Sequence, residues 1–477
     1  MRPHSLPHPP SEQSPDEIQT TLKDQRALAV TIYNNDRALI KDQREVRLPK
    51  GQCQLAFQEV SAKIEPETAI LSNLTSPKDF WVVEQNFDFD LLTPKKLLDK
   101  YVGEKVEVIR IVPSGKGEGE REVREEALVL ATNGGVVLQF ADRIETEVPG
   151  RVGRIVFPKV PENLRARPTL VMLLNSGADK AQKLELSYLT EGLSWEADYA
   201  ISLSQDEKTM DISGLVTLTN QSGATYPNAK LQLVAGEVNK VSKHSRSDVM
   251  GCALEIYDAK CDNMEEESLF EYHLYTLDRP TTLKENQTKQ VAMLSASGVP
   301  IEKDYDLFGQ SHFFTNSYGG RGEKLDISVY IWFENDEASS LGKPLPAGTM
   351  RVYKNDRRGS SQFIGEDSIE HTPKNESVLL KLGTAFDVTA HRRQTDFKKQ
   401  PGAKEKEYIY DSAFEILLKN AKDEAVTVAV HEPLPGDWEI LEKSHEFTKL
   451  ASGTALFKVE VPAEGSATLT YRARVKL

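Results

Sequence analysis

LELSYLTEGLSWEADYAISLSQDEKTMDISGLVTLTNQSGATYPNAKLQLVAGEVN, from Leu184 to Asn239, decides the fold of this chain. Between Trp195 and Leu203 the odd positions Trp195, Ala197, Tyr199, Ile201 and Leu203 are apolar, while Glu196, Asp198 and Ser202 alternate with them. A period of two over that length describes a half-buried β-strand. The next run sets Met210, Ile212, Val216 and Leu218 against Asp211, Ser213, Thr217 and Thr219, and ends at the turn Asn220-Gln221-Ser222-Gly223. Ala229, Leu231, Leu233 and Ala235 carry the rhythm into a third strand.

Working outward, residues 1–25 are rich in Pro, Ser and polar groups and contain no apolar core of a signal peptide, so a disordered leader is expected there. Residues 26–96 alternate as a small β-domain. Residues 97–157 break into short strands at Ser114 to Glu118, Asn133-Gly134-Gly135 and Pro149-Gly150, which suggests an SH3-like barrel inserted into the chain. A β-rich domain follows over 158–399, interrupted by a polar loop at 240–267 that is expected to be mobile and the first site of proteolysis. The charged segment from Phe397 to Glu407 reads as a linker. Beyond it, Leu469, Tyr471, Ala473, Val475 and Leu477 alternate with Thr470, Arg472, Arg474 and Lys476, so 408–477 is expected to fold alone as an immunoglobulin-like sandwich. The fold class is therefore all-β and multidomain: antiparallel β-sandwiches, a small SH3-like barrel insertion and a C-terminal immunoglobulin-like module.

With 477 residues the chain can bury several cores without metal or disulfide support. A formal net charge of −14, unbroken by any long Lys/Arg cluster, argues against nucleic acid and anionic membranes as general partners. No apolar run reaches the roughly 20 residues needed to cross a bilayer as a helix. Three cysteines, Cys53, Cys252 and Cys261, are too few for a disulfide framework. In an oxidising compartment a Cys252–Cys261 bridge would close a small ring worth roughly 2 to 3 kcal/mol, although nothing in the local sequence fixes the two at bridging distance and the unbridged state is the default; Cys53 is expected to remain a buried thiol.

The blocks SYLTEGLSWEADYAISL, LTNQSGATYPNAKLQLVAGEVN and EYHLYTLDRPTTLKENQTKQVAML carry a family resemblance. With Trp195, Tyr199, Asn220, Gly223, Leu233, Gly236, Arg279 and Pro280 in place, the chain resembles the mucoidy-inhibitor-A-like proteins, known as domain of unknown function 4139. The opening from Ala29 to Val60 is similar to the N-terminal β-domain that usually precedes it, so the resemblance runs from Ala29 to about Lys399. It implies an all-β protein of bacterial type, often exported, without agreed catalytic residues. A periplasmic or secreted location follows from the resemblance, and a cytoplasmic one if the chain begins natively without a signal.

The chemistry-bearing residues form no recognised catalytic motif. Gly115-Lys116-Gly117-Glu118-Gly119 lacks the Lys-Ser/Thr pair and following helix of a phosphate loop. Gly192-Leu193-Ser194-Trp195-Glu196 lacks the second glycine of a nucleophile elbow, so Ser194 reads as structural. His4, His8, His244, His273, His312, His371, His391, His431 and His445 show no local ligand spacing. Met250, Cys252, Cys261 and Met264 with His273 would suit Cu(I), but a surface loop with incidental sulfur is the default, since soft sites normally have tighter ligand repeats. The acidic pairs Asp88 with Asp90 and Asp304 with Asp306, and the run Glu265 to Glu267, read as solvated faces and turns. In Tyr330-Ile331-Trp332-Phe333, Tyr330 and Trp332 share one face of a strand, with burial in the core the default and a platform for sugar or peptide the alternative.

No catalytic residue, cofactor or metal is therefore assigned. The expected function is a non-enzymatic scaffold or binding component of the cell envelope, with a protein or envelope polymer as partner. The alternatives are a hydrolase of that polymer with carboxylates drawn from distant loops, and a carbohydrate-binding protein using Tyr330 and Trp332.

Overall fold

The computed structural model describes residues 17–88, 92–113, 120–146, 154–159, 161, 164–236, 264–318, 322–402 and 407–477. These residues are almost entirely β, with Pro94–Lys100 the single α-helix among them. They divide into two compact units, one holding the chain to Trp195 with Leu218–Val234 and Arg279–Lys289, the other the remainder.

In the first unit a four-stranded sheet runs in the order Glu17–Thr20, Gly51–Gln58, Thr169–Ser176, Phe80–Asp88. A second sheet holds Tyr226–Ala235, Gln25–Tyr33, Arg37–Leu48, Lys180–Glu191 and Ile70–Asn73 in that order. Alternation explains the packing: Leu55, Phe57, Leu170 and Met172 of the smaller sheet and Ile32, Leu184 and Leu186 of the larger are fully buried. A boundary at 158 therefore does not separate domains here, because strands after it pair with strands before Asp88. The segment 97–157 is inserted between them as a five-stranded sheet over its own core of Tyr101, Val106, Val108, Val129, Leu138 and Phe140.

Two expectations for this unit need correction. The leader does not extend to residue 25: Glu17–Thr20 pairs with Gly51–Gln58, and Leu22–Asp24 is a 3-10 turn closed by a capping box between Thr21 and Asp24. Tertiary anchors that local composition cannot reveal hold it. Arg165 grips the Glu17 carboxylate with two hydrogen bonds of 2.8 and 2.6 Å, and the fully buried Arg44 donates to the Thr20 carbonyl at 2.9 Å. The sheets are also mixed rather than antiparallel, since Glu17–Thr20 runs parallel to Gly51–Gln58 and Tyr226–Ala235 parallel to Gln25–Tyr33. Parallel partners need a long connection, so they come from distant sequence that no hairpin signal marks.

Cys53 lies on Gly51–Gln58 at 2% exposure, and burial raises its thiol pKa. A buried neutral thiol is a poor nucleophile. Cys53 in the folded, reduced protein is expected to resist a thiol-labelling reagent at pH 8 and to react fully in denaturant, as read by mass mapping of its peptide. Equal labelling in both states would place it at the surface.

In the second unit, one five-stranded sheet has the order Gln287–Pro300, Thr209–Asn220, Leu193–Leu203, Gly348–Asn355, Ser361–Ile369, the first residues or last residues of the first three belonging to the other unit. Most of the remaining strands form a sandwich. Its six-stranded sheet runs Ser377–Thr384, Ser328–Glu334, Glu302–Phe308, Val426–Pro433, Thr454–Val461, Phe447–Ala451. Its five-stranded sheet runs Gly322–Leu325, Val388–Pro401, Tyr408–Asn420, Ser466–Lys476, Asp437–Lys443. Leu307, Val428, Val430 and Phe457 of the first sheet share a core with Ile416, Leu469 and Val475 of the second, closed by Phe313 and Phe314 from a 3-10 turn at Ser311–Phe314. The expected linker from Phe397 is strand as far as Pro401, and residues 403–406 lie outside the described residues. Glu302–Phe308 is parallel to Val426–Pro433, so strands on both sides of Tyr408 build one sandwich.

Candidate functional site

The outer face of the six-stranded sheet gathers the chemistry. Along Glu302–Phe308 the residues Tyr305 and Leu307 point into the core, which turns Asp304, Asp306 and Phe308 outward. On the antiparallel neighbour Ser328–Glu334, Ile331 and Phe333 are each 1% exposed, and Tyr330 and Trp332 stand half-buried on the outer face. The default expectation of core burial is thus overturned for Tyr330 and Trp332, since the pleat buries the alternate residues Ile331 and Phe333 instead. Asp304 pairs with Tyr330 across the ladder, and Trp332 lies beside Leu379, which is 57% exposed.

From the other side, the parallel strand Val426–Pro433 places His431 next to Phe308. The imidazole Nε2 sits 2.9 Å from Asp306 Oδ1, and the ring stacks on Phe308 with centroids 4.7 Å apart. Phe308 meets Tyr330 edge-on at 6.4 Å. Burial raises the Asp304 carboxyl pKa, helped by the Asp306 charge, while Lys458, the Trp332 indole N–H and His431 pull it down. The result is a shallow platform: aromatic surface in Trp332, Tyr330 and Phe308, with acceptors at Asp304 and Asp306 and an imidazole oriented by one of them.

Sequence reading identified Tyr330, Trp332 and the Asp304 and Asp306 pair but did not connect them; it set His431 aside for want of local ligand spacing and missed Phe308. The alternation of Tyr305 and Leu307 with Asp304, Asp306 and Phe308 was the available signal. Their junction with His431 depends on a parallel pairing across more than a hundred residues, which leaves no local mark.

The other singled-out residues lie elsewhere. Ser194 is half-buried within the strand Leu193–Leu203, with no turn into a helix behind it. Gly115 to Gly119, His4, His8, Asp90, His244, Met250, Cys252 and Cys261 fall outside the described residues, and with them the Cu(I) site and the disulfide. The end of the polar loop is ordered differently from expectation: Met264 is buried, and Glu265–Leu269 pairs with Tyr272–Thr276. His273 there holds Glu266 Oε1 through Nδ1 at 2.7 Å and lines a cavity of about 190 Å³ with Tyr275, Pro344, Pro346 and His371. Among the described residues no group of three or more His, Cys, Asp or Glu is arranged to hold a metal.

Two motif residues of the resemblance, Tyr199 and Asn220, serve the fold. Tyr199 Oη donates to the Pro346 carbonyl at 2.8 Å inside the second unit, where burial raises its pKa well above the ordinary value. In the first unit Asn220 Nδ2 donates to the carbonyls of Ala224 and Leu283 and its Oδ1 accepts from Ser222, fixing the turn that ends its strand.

Several mixed β-sheets and a sandwich carrying an amphipathic outer face define a multidomain β-protein. Residues 184–477 match the family described as domain of unknown function (DUF4139), and the chain belongs to that family. The match reaches the C-terminus rather than ending near Lys399, in keeping with a sandwich whose strands come from both sides of Tyr408. No curated protein matches the chain.

Proposed function

We propose that this protein is a non-enzymatic binding component of the bacterial cell envelope that holds a neutral or amino-sugar polysaccharide on the outer face of its six-stranded sheet. The observation that carries the reading is the convergence of Trp332, Tyr330 and Phe308 with Asp304, Asp306 and His431 on one open surface. A pyranose ring has an apolar C–H face that stacks on an aromatic ring and hydroxyls that donate to carboxylates, and this surface offers both kinds of partner. Two carboxylates on a chain of net charge −14 disfavour an anionic polymer. The immunoglobulin-like reading of the sandwich and the SH3-like reading of the inserted sheet fit a scaffold that presents recognition surfaces, and the family resemblance supports an exported setting.

The raised carboxyl of Asp304 beside Asp306 favours one rival, a glycoside hydrolase. A hydrolase needs two carboxyls flanking the scissile bond. Asp304 and Asp306 are two residues apart on one strand and rise from the same open face, so they approach a sugar from one side only. That geometry suits binding better than cleavage.

The test is co-sedimentation with purified, insoluble envelope polysaccharide together with a glycan array. Trp332→Ala is expected to weaken retention about tenfold, the loss of one stacked aromatic contact, and Trp332→Phe to retain most of it. Undiminished binding by Trp332→Ala would remove the platform from the function. Release of reducing ends that Asp304→Asn abolishes would establish the hydrolase instead.

A further inference from the structure

A second feature of the same unit lies away from this face. A cavity of about 180 Å³ is walled on its apolar side by Leu203, Ile301, Ile364 and Leu382, and on its polar side by Glu207 and Lys303. It forms where the end of Leu193–Leu203 and the strands Ser361–Ile369 and Ser377–Thr384 come together. The Ile301 N–H donates to the Lys208 carbonyl at 3.0 Å, tying the turn that carries Glu207 to the start of Glu302–Phe308.

The polar end has an unusual composition. Glu207 accepts from the ammonium groups of both Lys303 and Lys354, the latter at 2.6 Å. Lys354 is brought there by the parallel pairing that sets it beside Leu203. Burial opposes ionisation of Glu207, but the hydrogen bonds and charges of the two lysines bring its pKa down to about 2. The trio is therefore two cations on one anion, with a net charge of about +1. Each ammonium carries three donors; on Lys303, Glu207 and Tyr305 each occupy one. Nearby Asp206 is taken up by the Ser204 hydroxyl at 2.7 Å and lies close enough to Lys208 to be partly neutralised.

We propose that this cavity binds a medium-chain fatty acid, its alkyl chain among Ile301, Ile364 and Leu382 and its carboxylate on Lys303. The excess positive charge selects an anionic head. The aliphatic lining, without an aromatic side chain, suits a flexible alkyl chain better than a planar ring. Glu207 occupies the lysines in the free protein, so it acts as a resident competitor for the ligand carboxylate.

That competition gives a test with opposite signs. Octanoate is titrated into the full chain and followed by calorimetry and by side-chain NMR, with octanol and acetate as probes of tail and head alone. Octanoate is expected to saturate, with octanol and acetate at least about tenfold weaker. Lys303→Gln is expected to weaken octanoate about tenfold and Lys303→Arg to restore most of the binding. Glu207→Gln is expected to tighten it, because the trio then carries two uncompensated cations. Ile364→Asp, at a position 42% exposed, puts a charge among the alkyl-chain contacts without touching the trio and should weaken octanoate and octanol alike. A purely structural trio would lose stability in both Lys303→Gln and Glu207→Gln without moving affinity in opposite directions. Octanol binding as well as octanoate, no saturation at millimolar octanoate, or a weaker Glu207→Gln would overturn the proposal.

Discussion

Replacing Arg392 with methionine is expected to lower the stability of the sandwich by roughly 3 to 5 kcal/mol, the cost of leaving one member of a buried ion pair alone. Arg392 is 3% exposed and Glu432 0%. Arg392 Nη1 donates to Glu432 Oε1 at 2.6 Å and Nη2 to the Tyr471 hydroxyl at 2.8 Å, and the guanidinium lies 4.1 Å from the Phe414 ring centroid and 4.4 Å from that of Phe313. Gly309 leaves no room for a Cβ against the Glu432 carboxylate. Arg392 Nε and Glu432 Oε2 have no hydrogen-bond partner, so the pair already carries incomplete compensation for its burial. Methionine at 392 strands the Glu432 carboxylate in an apolar interior, where it must protonate or the sheets must part. The double variant Arg392→Met, Glu432→Leu removes both charges and is expected to recover most of the loss. Urea unfolding followed through Trp438, which packs against this core, reads both. An unshifted midpoint for the single variant, or a double variant worse than either single, would refute this account of the pair.

How much of this was legible in the sequence depends on the range of the interaction. The strands Leu193–Leu203, Thr209–Asn220, Tyr226–Ala235 and Ser466–Lys476 follow from period-two alternation and local turns, and the structure has them within a few residues of where the pattern sets them. The division of faces at Tyr330-Ile331-Trp332-Phe333 was also readable. Which face meets the core was not, because four consecutive large apolar residues leave the assignment to the neighbouring strand. The long-range terms were silent: Arg165 on Glu17 ordering the residues expected to be a disordered leader, Arg392 on Glu432, and the parallel pairing that brings His431 to Asp306. Each couples residues that carry no local sign of one another. A sequence also shows charge more readily than burial, and Arg392 reads as one more basic residue in HRRQT until the strand pairing places it inside.

The same long-range pairing reverses the expectation for the C-terminal segment. A fragment of Tyr408 to Leu477 expressed alone is expected to be unfolded, with amide proton signals collapsed into the narrow range of a disordered chain. Its alternation is real, and Ile416, Val428, Phe457 and Leu469 are each fully buried in the intact protein. The partners that bury them are upstream. Tyr408–Asn420 pairs along its length with Val388–Pro401, and Val426–Pro433 pairs with Glu302–Phe308. Without those strands both sheets expose a new edge, and Glu432 loses Arg392. Phe313 and Phe314, which close the core between the sheets, are missing as well. The fragment keeps two antiparallel pairs in each of two sheets, Val426–Pro433 with Thr454–Val461 and Phe447–Ala451 in one, Tyr408–Asn420 with Ser466–Lys476 and Asp437–Lys443 in the other. A core shorn of its central aromatic pair and carrying an unpaired buried carboxylate does not compensate the ordering of about seventy residues, each costing about 1 to 2 kcal/mol in backbone entropy alone. Proton–nitrogen correlation spectra of the fragment against the full chain decide the matter: dispersed amide signals from the isolated fragment would restore an independent domain beginning at Tyr408, whereas collapsed signals place that boundary inside a sandwich built from both sides of it.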